Sequence, residues 1–503
     1  MKTIAHMLPL ATLVFPSVGA LSAIGWRRGT TCAWLRLLML ACSAATVAVT
    51  FSLVPAVLRG QTFELELLEL APQTWIAFRV DAAGVLYGST AALLWLLALI
   101  YATGYLHGEN LPRLYGTLMI SLAAAMGLAF AGNLLTFFIF YELLSVLTYV
   151  LVVHEETPAA LSAGLKYLAY VLVAGALILS GVLLTYAFAG DLTFRAGGGL
   201  FGADVGTTTL LVTFLCFAVG FGVKAAVMPL HGWVPDAHPA APAPSSALLS
   251  GVLVAAGAFG LIRVSFEVFG VALLKDLGPM PYLGALAAAT VVLAGFKALR
   301  QDDLKRRLAY STISQMGYVL LALSLMGPIA TVGALVHIVH HAFMKGALFF
   351  CAGSFAHATG RRSMASLAGL ADRTPLTSAA FTLASLGMIG FPPLSGFISK
   401  WWLGVGMLES ESPYVLVVLL LGALLAAGYL LPVVYALYFG APAEGTNGAN
   451  GEEPDAPIEG RSSVLLATCA AAAMTLVLGL AASAVGLPVD LAQAAAAAFF
   501  GAP

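Results

Sequence analysis

Runs such as Leu210–Val223 and Val464–Val485 are almost continuously apolar, and runs of this kind recur from one end of the chain to the other. A helix needs ~20 such residues to cross a bilayer. Only 9% of the 503 residues are charged and 60% are hydrophobic, with a mean hydropathy of +0.96; an ordinary soluble domain carries roughly 25% charge. A soluble fold is excluded. A transmembrane barrel would alternate apolar and polar residues over ~10-residue strands, and these runs do not alternate. The chain reads as an all-α integral membrane protein with about fourteen spans.

Net charge is −1 and no basic run exceeds three residues, which argues against nucleic acid or an anionic-lipid patch as partner. The five cysteines, Cys32, Cys42, Cys216, Cys351 and Cys469, lie singly in or beside apolar segments. No CxxC or Cys/His spacing suggests a metal or iron–sulfur site, so redox chemistry would belong to other chains. The first 26 residues read as a retained helix rather than a cleaved leader. With the N-terminus outside, thirteen of the 23 basic residues fall on inner loops and flanks, among them Arg27, Arg28, Arg113, Lys305, Arg306, Arg307, Arg361 and Arg362. Six fall outside, including Arg79, Arg195 and Arg263. Both termini are expected on the non-cytoplasmic side of a cell membrane.

Two spans are interrupted. In the seventh, near 207–228, Pro229 is followed by His231, Gly232, Pro235, Asp236, Pro239, Pro242 and Pro244; in the twelfth, near 376–402, Gly387, Gly390, Pro392, Pro393 and Gly396 precede Lys400. A buried lysine stands beside each break, Lys224 and Lys400. Gly/Pro-interrupted spans at corresponding places in two halves are the mark of repeats whose broken helices line a midplane pathway. Spans 4–8 and 9–13 are therefore read as inverted repeats. The chain divides into residues 1–110 (three helices), 111–265 and 281–440 (the repeats), 441–462 (an acidic loop) and 463–503. The polar interlude Gln61–Asp81 and the acidic loop are expected to hold no site.

A charge at the bilayer centre costs roughly 2.5–3.5 kcal/mol on insertion scales, so buried ionisable residues need a reason. Glu142 lies mid-span in NLLTFFIFYELLSVLTYVLV and is expected to face the interior. With Lys224 it forms either a static lock between helices or a switchable pair that loads and releases a proton. His337, His341 and Lys345 stand at i, i+4 and i+8 on one helical face, with His340 beside them. No carboxylate accompanies them as in a metal motif, which leaves satisfied core histidines or a hydrated proton relay. Lys166 either extends the Glu142–Lys224 network or caps it. Asp236 and His238 are either an entry point or solvated loop groups, the latter being the simpler reading. Asp302, Asp303, Lys305, Arg306 and Arg307 read as topology anchors.

The segments FFIFYELLSVLTYVLV, GFGVKAAVMPLHGWVPDAHPAAPAPSSALLSG, FKALRQDDLKRRLAYSTISQMGYVLLAL, LVHIVHHAFMKGALFFCAGS and GFPPLSGFISKWW resemble, in order, the proton-translocating antiporter-like membrane subunits shared by respiratory complex I, Mrp-type sodium/proton antiporters and membrane-bound hydrogenases. The likeness covers about residues 75–440, and among these subunits the chain is most similar to the D-type subunit of Mrp antiporters. The resemblance implies a proton-handling pair at Glu142 and Lys224, a relay at His337, His341 and Lys345, and a terminal charge at Lys400. It departs at one point: relatives carry a lysine or histidine within the eighth helix, where this chain has Ala255.

The resemblance implies a transport subunit without a catalytic redox site or cofactor, working beside other membrane subunits in a multi-subunit complex and moving protons, with sodium as a candidate coupled ion. The complex would be a Mrp-type cation/proton antiporter; the alternatives are a pump of the NADH-quinone oxidoreductase or hydrogenase kind, and a scaffold that has lost conduction at Ala255.

Overall fold

The computed structural model describes residues 2–25, 33–108, 110–200, 205–410, 412–441, 458–484, 486 and 488–501. Arg27, Arg28, Cys32 and most of the acidic loop lie outside them. The long helices are α1 (Lys2–Ser22), α2 (Ala33–Ser52), α3 (Ala82–Tyr105), α4 (Leu111–Ala129), α5 (Leu134–Val152), α6 (Pro158–Ala189), α7 (Thr207–Lys224), α8 (Ala243–Phe269), α9 (Met280–Leu299), α10 (Leu304–Ser324), α11 (Pro328–Thr359), α12 (Pro375–Ile389), α13 (Ser395–Leu408), α14 (Leu416–Phe439), α15 (Ser462–Leu480) and α16 (Pro488–Phe499).

Among the described residues, twelve helices are long and apolar enough to cross a membrane. The two remaining expected spans fall short for visible reasons. Helix α10 opens with Lys305, Arg306 and Arg307, and the twelfth span is split into α12 and α13. Counting these two as crossings gives the fourteen we propose. The break in the seventh span comes earlier than Pro229. Helix α7 already ends at Lys224, and Ala226 takes a left-handed φ of 60°, uncommon for a residue with a side chain.

Helix starts follow local chemistry. Asp81, Asn133, Thr157 and Asp303 each accept a backbone N–H from the first turn of α3, α5, α6 and α10, caps worth about 1 kcal/mol apiece. Helix α8 and the central turns of α11 are wholly buried, whereas α6, α9 and α14 present leucine, valine and phenylalanine outward, as surfaces meeting lipid or another apolar chain do. Helix α8 contains two wider π-type stretches, Leu249–Leu253 and Val264–Phe269. Its Gly257 lets α7 and α8 approach closely, because a Cβ there would lie 2.5 Å from the Ala225 nitrogen and 2.9 Å from the Lys224 Cβ.

The interlude before α3 is a β-hairpin, β1 (Phe63–Ala71) antiparallel to β2 (Thr74–Val80). Its end carries a structural ion network that the sequence did not announce. Arg263, 1% exposed, donates to both oxygens of Asp81 at 2.7 Å and to Glu267 at 2.7 Å. Arg79 bonds Asp81 at 2.9–3.0 Å, the Phe194 carbonyl at 2.6 Å, and Glu267. Two cations and two anions thus tie strand β2, the start of α3 and the end of α8 together. Arg263, assigned from sequence to the outer basic set as a topology signal, is instead a buried structural cation. Burial opposes charge on Asp81, but Arg263 and Arg79 hold its carboxyl well below the usual carboxylate range. Its stabilisation is therefore complete above its ordinary pKa of about 3.9 and is lost only as pH falls through the lower folded value.

Removing one member strands buried charge, which typically costs about 3–5 kcal/mol. Arg263→Ala should accordingly lower the thermal midpoint and the yield of folded protein. An unchanged melting curve would show the network to be dispensable.

Candidate functional site

Lys224 closes α7 and is fully buried. Its Nζ donates to Ser145 Oγ of α5 at 3.0 Å and to the Tyr167 hydroxyl of α6 at 2.9 Å. No ion pair joins it to Glu142 among the described residues, so the pair expected from sequence is open here. Glu142 is half-buried on the flank between α5 and α6 rather than interior. Its Oε1 has no hydrogen-bond partner, and it fills the space left by Gly175, where a Cβ would lie 2.6 Å away.

Lys166 Nζ meets Asp236 Oδ2 at 2.6 Å. Arg306 joins the other oxygen of Asp236 at 3.3 Å. These groups are 30–46% exposed, at the end of the bundle opposite the hairpin. Asp236 is thus accessible to water, whereas His238, two residues on, is not a solvated loop group. It is fully buried, between Trp233 and Phe349 at ring separations of 6.0 and 5.8 Å, and neither ring nitrogen has a hydrogen-bond partner.

Two of the residues taken as topology anchors also turn inward. Lys305, 2% exposed, donates to the Ala241 carbonyl at 2.8 Å, and Arg307 donates to the carbonyls of Gln301 and Tyr429. Both need these contacts because the α10 start is buried.

The eleventh-span residues share their face as the spacing required. Lys345 donates to the Leu308 carbonyl at 3.0 Å and to Ser311 at 2.7 Å, and Ser311 in turn contacts the Tyr429 hydroxyl at 2.9 Å. His337 meets Ser399 at 2.9 Å, and its ring lies 6.1 Å from that of His341. Both nitrogens of His341 and of His340, and Nε2 of His337, lack protein partners. Buried polar atoms are normally satisfied by protein or by water, and imidazole can pass a proton between two such partners.

Lys400 donates to the carbonyls of Met388 and Ile389, both at 2.7 Å, and stands 5.6 Å from the Tyr318 ring centroid. Those carbonyls end α12 and have no helical partner, so the lysine caps the break it follows. At Ala255 the chain is fully buried and supplies no polar side chain; the same helix carries a polar link five residues earlier, from Ser250 to Thr312 at 2.6 Å. Sequence reasoning missed Ser145, Tyr167, Ser311 and Tyr429, which are uncharged and take meaning only from what they touch.

The fold and this column define a polytopic membrane protein with buried basic groups spaced through two broken-helix halves. The family described as NADH:quinone oxidoreductase/Mrp antiporter, TM, matches residues 131–426, and the chain belongs to it. NADH-quinone oxidoreductase subunit N of Desulforudis audaxviator is 33% identical over 468 residues, covering 90% of both chains. Hydrogenase-4 component B of Escherichia coli is 32% identical over 65% of this chain and half of its own length. The structure of the Mrp complex from Dietzia sp. contains a chain of the same fold, with TM-score 0.86 at 24% identity, over 99% of this chain and 98% of that one. A chain of Thermus thermophilus respiratory complex I follows at TM-score 0.74 and 25% identity, over 95% and 98%.

The contrast between the two kinds of ion pair is measurable. Exposed pairs contribute about 0.2–1 kcal/mol, so Asp236→Asn should shift the unfolding free energy by no more than about 1 kcal/mol, far less than Arg263→Ala. An equal loss in the two variants would contradict the assignment.

Proposed function

We propose that the chain is a proton-translocating subunit of a multi-subunit membrane complex of the Mrp-type monovalent cation/proton antiporter kind. The observation that carries this reading is the row of buried lysines, Lys224, Lys305, Lys345 and Lys400, each held by neutral oxygens and none by a carboxylate among the described residues. A lysine held this way can exchange its proton without breaking an ion pair. Protons enter near Lys166 and Asp236, load Lys224 under the field of Glu142, pass Lys345, His341 and His337, and leave by Lys400. His340 supports the relay from the same helix.

The two halves are inverted repeats in this reading, residues 111–265 and 281–440. Supporting it, the caps Asn133 and Asp303 lie 170 positions apart, as do the helix-ending glycines Gly190 and Gly360 of the two 32-residue helices α6 and α11. A second reading, a proton-pumping subunit of an NADH-quinone oxidoreductase, is favoured by the 33% identity to subunit N across 90% of the chain. The proteins that co-purify with the chain distinguish the two: small antiporter subunits for the first, flavin and iron–sulfur subunits for the second.

Glu142→Ala, Lys224→Ala and Lys400→Ala should each lower proton transport strongly, measured with a pH-sensitive dye in vesicles, while assembly persists. Full transport in all three would leave the scaffold reading standing. For orientation, the basic-residue distribution places Arg195 outside and Arg361 in the cytoplasm. A cysteine introduced near residue 195 should react with an impermeant reagent on intact cells and one near 361 should not; the reverse would invert the topology.

A further inference from the structure

Two hydroxyls hold Lys224, and the proton of each is already committed elsewhere. Tyr167 donates its own to the Ser145 carbonyl at 3.0 Å, and Ser145 Oγ donates to the Tyr141 carbonyl at 2.9 Å. Toward Lys224 both oxygens can therefore only accept. An amine has two N–H groups and an ammonium has three, so this seat takes both N–H groups of a neutral lysine and leaves one N–H of a charged lysine without an oxygen. The ring faces of Tyr141 and Tyr167, at 5.7 and 5.4 Å, offer that charge a weaker hold than a carboxylate does.

Glu142 provides the other seat. It precedes Ser145 by three residues on α5, which places both on one helical face about 5–6 Å apart, within the sweep of a four-carbon side chain. The other side chains packed around Lys224 leave the choice to Glu142 and the phenols. Gly257 and its neighbours on α8 bring no charge, Trp233 donates to the Val223 carbonyl, and Lys166 is bound to Asp236.

We infer that Tyr167, with Ser145, is a positioning residue that forms a release seat for Lys224, one helical turn from the loading seat at Glu142. The inference rests on the proton-transport reading above. The lysine takes a proton while facing Glu142, swings to the hydroxyl seat, and there gives up the N–H that has no acceptor. No bond other than N–H is broken, and the proton passes to the next basic group of the column.

Tyr167→Phe tests it in the assembled complex, because it removes the oxygen and keeps the ring that packs 5.0 Å from Trp233. With one acceptor gone the charged lysine stays with Glu142. The maximal transport rate should fall about tenfold, and the alkaline limb, where Lys224 fails to load, should move up by about one pH unit, the equivalent of one hydrogen bond. Ser145→Ala should change both quantities in the same direction. A lower rate with an unmoved pH profile would assign Tyr167 a packing role only and overturn the seat. Wild-type rate and profile in Tyr167→Phe, with Lys224→Ala inactive, would overturn the inference alone; an active Lys224→Ala would remove the transport reading beneath it. Where Tyr167→Phe fails to assemble, the Ser145→Ala profile decides on the same terms.

Discussion

A helix broken within the bilayer frees backbone carbonyls where no bulk water can satisfy them, and a lysine buried there needs acceptors for its N–H groups. In this protein each problem answers the other. Lys400 takes up the two carbonyls that end α12, Lys305 takes that of Ala241 beside the first break, and Lys345 takes Leu308 within α10. The breaks, the lysines and the buried cores of α8 and α11 form one arrangement, and it is tightest at Lys400, whose removal would orphan the Met388 and Ile389 carbonyls.

The same arrangement explains why carboxylates stand at the edges. Glu142 lies half-buried on the flank and Asp236 at a wet end, while Asp81 and Glu267 are consumed by two arginines beside the hairpin. A carboxylate in the middle of the column would pair with a lysine and hold it. With hydroxyls and carbonyls instead, each buried lysine has oxygen acceptors and no ion pair among the described residues.

Much of this was legible in the sequence, in proportion to how local the signal is. Apolar runs marked the helices, Pro and Gly marked both breaks, and the i, i+4, i+8 spacing of His337, His341 and Lys345 placed them on one face. What escaped depends on contacts between distant segments. His238 sits in a polar stretch that reads as loop, yet the α8–α11 core closes over it; Lys305 belongs to a charged run that reads as an anchor, yet it turns inward to Ala241, 64 residues away. The Glu-rich interlude gave no sign that Arg79 and Asp81 at its end would find Arg263 and Glu267. Tyr167 and Ser145 carry no sequence signal of their own, because a serine or tyrosine in a membrane helix is unremarkable until a lysine is placed against it.

The quartet of Arg79, Asp81, Arg263 and Glu267 sums to zero charge, whereas each buried lysine adds a positive charge when protonated and has no anion paired with it among the described residues. An electric field across the membrane exerts no net force on the first and acts directly on the second. Moving one elementary charge through the full potential is worth about 2.3 kcal/mol per 100 mV, comparable to the hydrogen bonds that hold each lysine. The hairpin clamp is thus a voltage-indifferent support, whereas every lysine of the buried row that holds a proton is a charge on which membrane voltage acts.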